Sequence, residues 1–277
     1  MTTLYAETKL EDRWKSIRKV GKIKEQQLLT RLIGTLFVLV VGIFIGANWF
    51  GNENYNSSIY TELLSILVTV GILDTLNRYR TGQQNERITQ DQLIQQVGSH
   101  DHVTASIAIR HLRGRGWLTG DKGILQGANL FRADLKGADL WGANLKNCVL
   151  DNANLQGINF RQVDLTQADL RRTNLNDARL EGANLAGASL DSAFLRNAGL
   201  LRANLRNSNL TATVFEEAHL WQADLRGAYM MYANLDGVRF KNTLFDENTT
   251  LPDGKKWTRM TDMQYYGAIV EDEDITR

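Results

Sequence analysis

Several ordinary features are scarce in this sequence. One cysteine and one proline occur in 277 residues. A lone thiol excludes an internal disulfide framework. A lone proline excludes a Pro-rich linker. Net charge is +1, so the chain lacks the bias of a nucleic-acid binder, and nucleic acid is not an expected partner. Histidines are few. His100 and His102 flank Asp101, but this spacing, with no cysteine beside it, matches no strong metal site. No Gly-rich phosphate loop stands between a strand and a helix. No catalytic residue, cofactor or metal is therefore expected.

What is present is a rhythm. From Leu125 to Phe245 a Leu, Phe or Met falls on every fifth position, 25 centres in all, without an insertion. Twenty are Leu; Phe160, Phe215, Met230, Phe240 and Phe245 are the others. Two residues before each centre sits a small side chain, usually alanine, as at Ala128, Ala133 and Ala138. The lone Cys148 occupies such a position, which points to packing rather than a reactive thiol. The residue between is most often Asn or Asp.

A period of five matches neither 3.6 nor 2, so it is neither a helix face nor a plain strand. In a five-residue side with a corner, positions −2 and 0 both point inward. Four such sides close a square coil of 20 residues, and coil stacks on coil at about 4.8 Å. About six coils make a rod of roughly 30 Å. Glycine is frequent two after the centre (Gly127, Gly137, Gly142), where a corner calls for positive φ. The many Asp residues belong to the repeating turn and spread over four faces, so they form no paired-carboxylate site.

These residues resemble the pentapeptide-repeat family. The resemblance implies a right-handed quadrilateral β-helix over 123–245. The sequence TTLPDGKKW at Thr249–Trp257 resembles the tails that follow the coils in that family, so 246–277 is read as a C-terminal cap and tail. Trp257 is expected to pack nearby, and the acidic Glu271–Asp274 to be mobile.

Upstream, residues 1–31 read as a basic amphipathic lead-in. Leu32–Phe50 carries no charge over 19 residues, long enough to span hydrocarbon. Ile59–Leu76 reads as a second span, with Glu62 and Asp74 as candidate intramembrane acids and Arg78 placed to pair with Asp74. The loop Gly51–Ser58 has no Lys or Arg, while both flanks are basic. The expectation is therefore an α-helical transmembrane region at 32–76 (spans 32–50 and 59–76) with both termini cytoplasmic. The expected location is an inner (cytoplasmic) or thylakoid-type membrane, with membrane lipid as a partner. Residues 77–122 read as a connector of two helices, Asn85–Val97 and His102–Arg113, with Trp117 and Leu118 covering the first coil. This region is similar to membrane-anchored, cyanobacterial members of the family.

Residues 20 apart share a face. One column reads Asp139, Asn159, Arg179, Gly199, His219, Arg239; the adjacent one reads Trp141, Arg161, Glu181, Leu201, Trp221, Lys241. Exposed aromatics, an exposed Leu and several cations suggest an interface. Trp141, Arg161, Arg179, Leu201, His219, Trp221 and Arg239 are the candidate residues. A secondary patch, Tyr229, Met231 and Tyr232, is assigned to a neighbouring face. The leading expectation is a non-enzymatic, membrane-tethered scaffold presenting a rigid rod to a protein partner. The resemblance also implies an alternative, because some family members mimic DNA and bind a type II topoisomerase. That role needs a strongly acidic rod, and residues 121–250 hold 15 acids against 14 Lys and Arg. A transport or envelope-assembly role rests only on Glu62 and Asp74 and requires a homo-oligomer.

Overall fold

The computed structural model describes residue 34, residues 57–269 and residues 275–276. The chain divides into two units at Arg87 and Ile88. The basic lead-in, the run Leu32–Phe50 (Gly34 apart) and the acidic run Glu271–Asp274 lie outside the described residues.

A single α-helix, α1, runs from Ser57 to Val97, where the sequence suggests a span, a break and a second helix. It exposes Ile66, Leu67, Val70 and Leu73. The second span is corrected here: no described helix is long and apolar enough to cross a membrane. The uncharged core, Leu63–Leu73, apolar except for Ser65 and Thr69, is only 11 residues (73 − 63 + 1). At about 1.5 Å per residue it reaches about half of a bilayer's roughly 30 Å. Charges follow along the same helix at Asp74, Arg78, Arg80, Glu86, Arg87 and Asp91. Glu62 and Asp74 are both exposed. Asp74 forms an i,i+4 ion pair with Arg78 at 2.9 Å. The multi-pass topology, the membrane location and the role of intramembrane acids go with that span.

In the second unit, helix α2 spans His102–Gly114. The Asp101 carboxylate caps its N-terminus by accepting from the Thr104 N–H at 2.9 Å. Its buried stripe is Ala105, Ala108, Ile109 and Leu112. Beyond it Leu118 is buried, and its carbonyl accepts from the Asn144 N–H of the β-helix at 2.8 Å.

The expected β-helix follows. All 25 centres from Leu125 to Phe245 are buried, and so are the small residues two before them. Parallel bridges link residues 20 apart, as Asn144↔Asp164 and Asp164↔Asn184. One side shows how the backbone is satisfied. The Leu165 N–H donates to Asn184 O at 2.8 Å and the Gln167 N–H to Ala186 O at 3.0 Å, both in the next coil. The Asp164 N–H donates to Ala143 O at 2.9 Å in the previous coil, and the Val163 N–H closes the corner on Phe160 O at 3.1 Å. The fifth donor, Thr166 N–H, goes to the Asp164 carboxylate at 3.2 Å. This last bond explains the recurring Asn and Asp. An Asx oxygen two residues back accepts it in fourteen sides among the described residues. Buried backbone donors require such partners. Where the small residue is polar its hydroxyl is also satisfied: Thr213 Oγ1 donates to Leu190 O at 2.9 Å. Burial pushes the Cys148 thiol up to about 12, so it stays protonated and inert.

Each corner has positive φ only at its third residue, the mark of a type II turn. Glycine fills eight of the 24 such positions from Gly127 to Asn242, and the other 16 carry side chains. Ala212 sits there at φ 51, a conformation that costs a residue with a Cβ about 1–2 kcal/mol. Ala212→Gly is therefore expected to stabilise the β-helix by about 1 kcal/mol, after glycine's extra entropy loss. Ala186→Gly, at the preceding corner position where φ is not positive, should destabilise it. Thermal unfolding of the two variants checks the pair, and equal shifts would refute the corner assignment.

At the C-terminal end the count slips. Asp224 bridges Leu244, 20 residues on, but Tyr229 bridges Thr250, 21 on. The extra residue brings Leu251 into the core, and Trp257 stacks on Phe245 at 5.7 Å and 14°. Beyond the acidic run, Ile275–Thr276 pairs in parallel with Thr243–Leu244.

Candidate functional site

The wall built on centres Leu140, Phe160, Leu180, Leu200, Leu220 and Phe240 carries the candidate residues. Its outward column is aligned by successive parallel bridges from Asp139 through Asn159, Arg179, Gly199 and His219 to Arg239. Trp141 and Leu201 are each 37 % exposed, and Arg161, Arg179, His219 and Arg239 are exposed. Trp221, expected to be exposed, is half-buried. Its ring lies against His219, centroids 5.7 Å apart and tilted by 42°.

The structure divides this face into zones. Trp141 and Trp221 are four coils apart, about 19 Å, so they do not form one aromatic patch. Near Trp141, Arg113 reaches across to Asp139 at 3.1 Å. Asn159 Nδ2 donates to the Asp139 carboxylate at 2.7 Å. Arg161 is neutralised by Glu181 at 3.0 Å. Glu181 lies over Gly199, where an added Cβ would meet its Oε1 at 3.1 Å. Below this pair the charges are not balanced. Neither Arg179 nor Arg239 has a side-chain partner among the described residues, and Arg202 at the corner bonds only neutral Gln222, at 2.7 Å.

A feature invisible as a motif accompanies this imbalance. Arg179, Gly199 and His219 stand where an Asx would accept the N–H two residues on. The N–H groups of Glu181, Leu201 and Trp221 are accordingly uncapped among the described residues. On the same face Trp141 N–H and Arg161 N–H are capped by Asp139 and Asn159 at 3.3 and 3.4 Å. The signal in the sequence was the interruption of Asx at −1 from Arg179 through Gly199 and His219 to Arg239.

The secondary patch is misplaced by the sequence reading. Tyr229 belongs to the column Asn209↔Tyr229, ten residues out of phase with His219. Ten residues are half a coil, so Tyr229, Met231 and Tyr232 occupy the opposite wall, not a neighbouring one. Tyr229 Oη donates to Met231 Sδ at 2.9 Å, and Tyr232 is 69 % exposed with φ 64. The same wall has a shallow polar depression lined by Gln167, Asp169, Arg171, Ser189 and Asp191. There the Arg171 guanidinium, hydrogen-bonded to Asp169, holds that carboxyl below the usual range. No group of three or more His, Cys, Asp or Glu among the described residues could hold a metal ion.

The model of the family described as Pentapeptide repeats (eight copies) matches residues 128–167, 164–200 and 208–246. No curated protein matches the sequence. Among solved structures, HetL is a pentapeptide repeat protein involved in heterocyst differentiation regulation in the cyanobacterium Nostoc sp. strain PCC 7120. It is 28 % identical over 52 % of this chain and 78 % of its own, with a TM-score of 0.31. Rfr23 from the cyanobacterium Cyanothece 51142 is 28 % identical over 44 % of this chain and 87 % of its own, with a TM-score of 0.32. QnrB1, a plasmid-mediated fluoroquinolone resistance protein, is 21 % identical over 52 % of this chain and 77 % of its own, with a TM-score of 0.38. The three matched segments fall within the 20-residue coils described above, so residues 128–246 are similar to the pentapeptide repeats of that family.

Proposed function

We propose that the β-helix is a protein-interaction module, with no catalysis of its own, and that the wall carrying Leu201, His219, Trp221 and Arg239 meets the partner. One observation supports this above the others. An exposed Leu and a Trp–His pair sit beside Arg179 and Arg239, which have no side-chain partner among the described residues. Aromatic residues and Arg are enriched at interfaces. The topoisomerase reading has less support, because the coils are nearly charge-balanced and this wall is cationic, the reverse of a duplex mimic.

The test is a photo-crosslinking residue placed at Leu201 or, as a control, at Thr211 on the opposite wall, in the full chain in its own cells. A discrete adduct from position 201 alone is expected. Equal labelling from both positions, or none, would refute the reading. Trp221→Ala should lower the yield of that adduct strongly while leaving the melting temperature within a few degrees, since the ring is outside the core. If the variant unfolds instead, the column is structural.

A further inference from the structure

We infer that the partner reads this wall with an acidic extended segment, two carboxylates flanking one apolar residue. The inference rests on the interaction reading above and adds the chemistry of what is bound. Three facts converge on it. Arg179 and Arg239 have no side-chain partner among the described residues, and Arg202 has only a neutral one. The two acids of these columns, Asp139 and Glu181, are taken by Arg113 and Arg161. Three N–H donors in a row on this wall, at Glu181, Leu201 and Trp221, lack the Asx cap that Asp139 and Asn159 supply to the two coils before them.

These donors face outward. In the capped coils of the same wall the acceptor is a side chain on the outer surface, exposed Asp139 and half-buried Asn159. Removing that side chain leaves a main-chain donor open to an external oxygen. Aligned main-chain N–H groups beside arginines suit anions.

The spacing selects the form of the ligand. Arg179 and Arg239 are three coils apart, about 14 Å. Carboxylates four residues apart on an extended chain are separated by about 13 Å. The residue midway between them then faces Leu201 and Trp221, the apolar centre of the wall. A peptide with the two acids and an intervening Leu on one face satisfies all three contacts.

The probe is a fluorescein-labelled peptide, Ser-Glu-Ser-Leu-Ser-Glu-Ser, titrated with the full chain at low ionic strength and followed by anisotropy. The same peptide with Gln for both Glu is the control. Saturable binding of the acidic peptide alone, weakened by salt, is expected. The informative variant restores the repeat. Gly199→Asn with His219→Asn returns an Asx side chain to both positions, capping the Leu201 and Trp221 N–H groups from within. Only the flexible end of Glu181 must move to admit a side chain in place of Gly199. This variant should melt no lower than the parent yet bind the peptide about tenfold more weakly, the effect of losing a charge-assisted hydrogen bond. Unchanged binding in the variant, or equal binding of the Gln peptide, would overturn the inference. If neither peptide binds while the Leu201 adduct persists, the acidic chemistry is wrong and the interaction wall stands. If adduct and binding are both missing, both readings fall.

Discussion

Leu185→Lys is expected to abolish the β-helix, with loss of its cooperative melting transition. Leu185 is fully buried, with Leu165 and Leu205 in the coils on either side of it, both also at 0 % exposure. A lysine on a helix surface would extend its ammonium group to water. Here the side chain points to the axis of a closed square, and the ladder bonds of Leu185 N–H to Asn204 O and Asn204 N–H to Ala183 O hold the wall shut at 2.7 and 2.9 Å. The charge would be trapped without a partner, and the cost exceeds about 5 kcal/mol unless the ammonium loses its proton. Leu185→Met, which keeps the volume, should cost less than about 1.5 kcal/mol. A Lys variant that melts like the parent would show that the fifth residues do not point inward.

Phe215→Ala should have the second largest effect, about 3–5 kcal/mol. Phe215 is among the largest fully buried side chains, at 1 % exposure. The lost ring cannot be replaced by inward collapse. The backbone on its own wall is pinned by Phe215 N–H to Asn234 O at 2.9 Å and Val214 N–H to Ala193 O at 2.9 Å. Rigid walls place the expected cost at the upper end of the range, because the cavity stays open. Phe215→Leu restores the commonest centre and should recover most of the stability. Chemical denaturation of the two variants decides this, and equal losses would mean that the coil relaxes around the gap.

The inward rhythm was legible because a fixed period of five admits one geometry, in which positions −2 and 0 share the interior. The corner glycines also announced themselves, since Gly127 and Gly137 stand where positive φ is needed. Other features were ambiguous for physical reasons. Leu63–Leu73 is apolar whether it crosses lipid or lies on a longer polar helix, and only the continuation through Arg78 and Arg87 to Val97 separates the two. Trp221 counts as outward by phase, but phase says nothing about the His219 ring beside it. The opposite wall was misassigned for Tyr229 because adjacency must be counted round the square, and ten residues are two corners. The uncapped donors were hidden because they are main-chain groups; only a knowledge of what Asp139 and Asn159 accept shows what His219 does not.

The 20-residue bridge spacing has an evolutionary and engineering consequence. Deleting five residues between Leu180 and Leu200 would keep the inward rhythm, since every later centre still points inward. It would nevertheless rotate all downstream side chains by a quarter turn, carrying Leu201, His219 and Trp221 away from Arg179 onto the adjoining wall. Deleting twenty would shorten the ladder and keep every wall in phase. Surface function in this architecture is therefore inherited modulo twenty while stability is inherited modulo five. Length changes of five, ten or fifteen residues keep the inward rhythm of the core yet disrupt recognition.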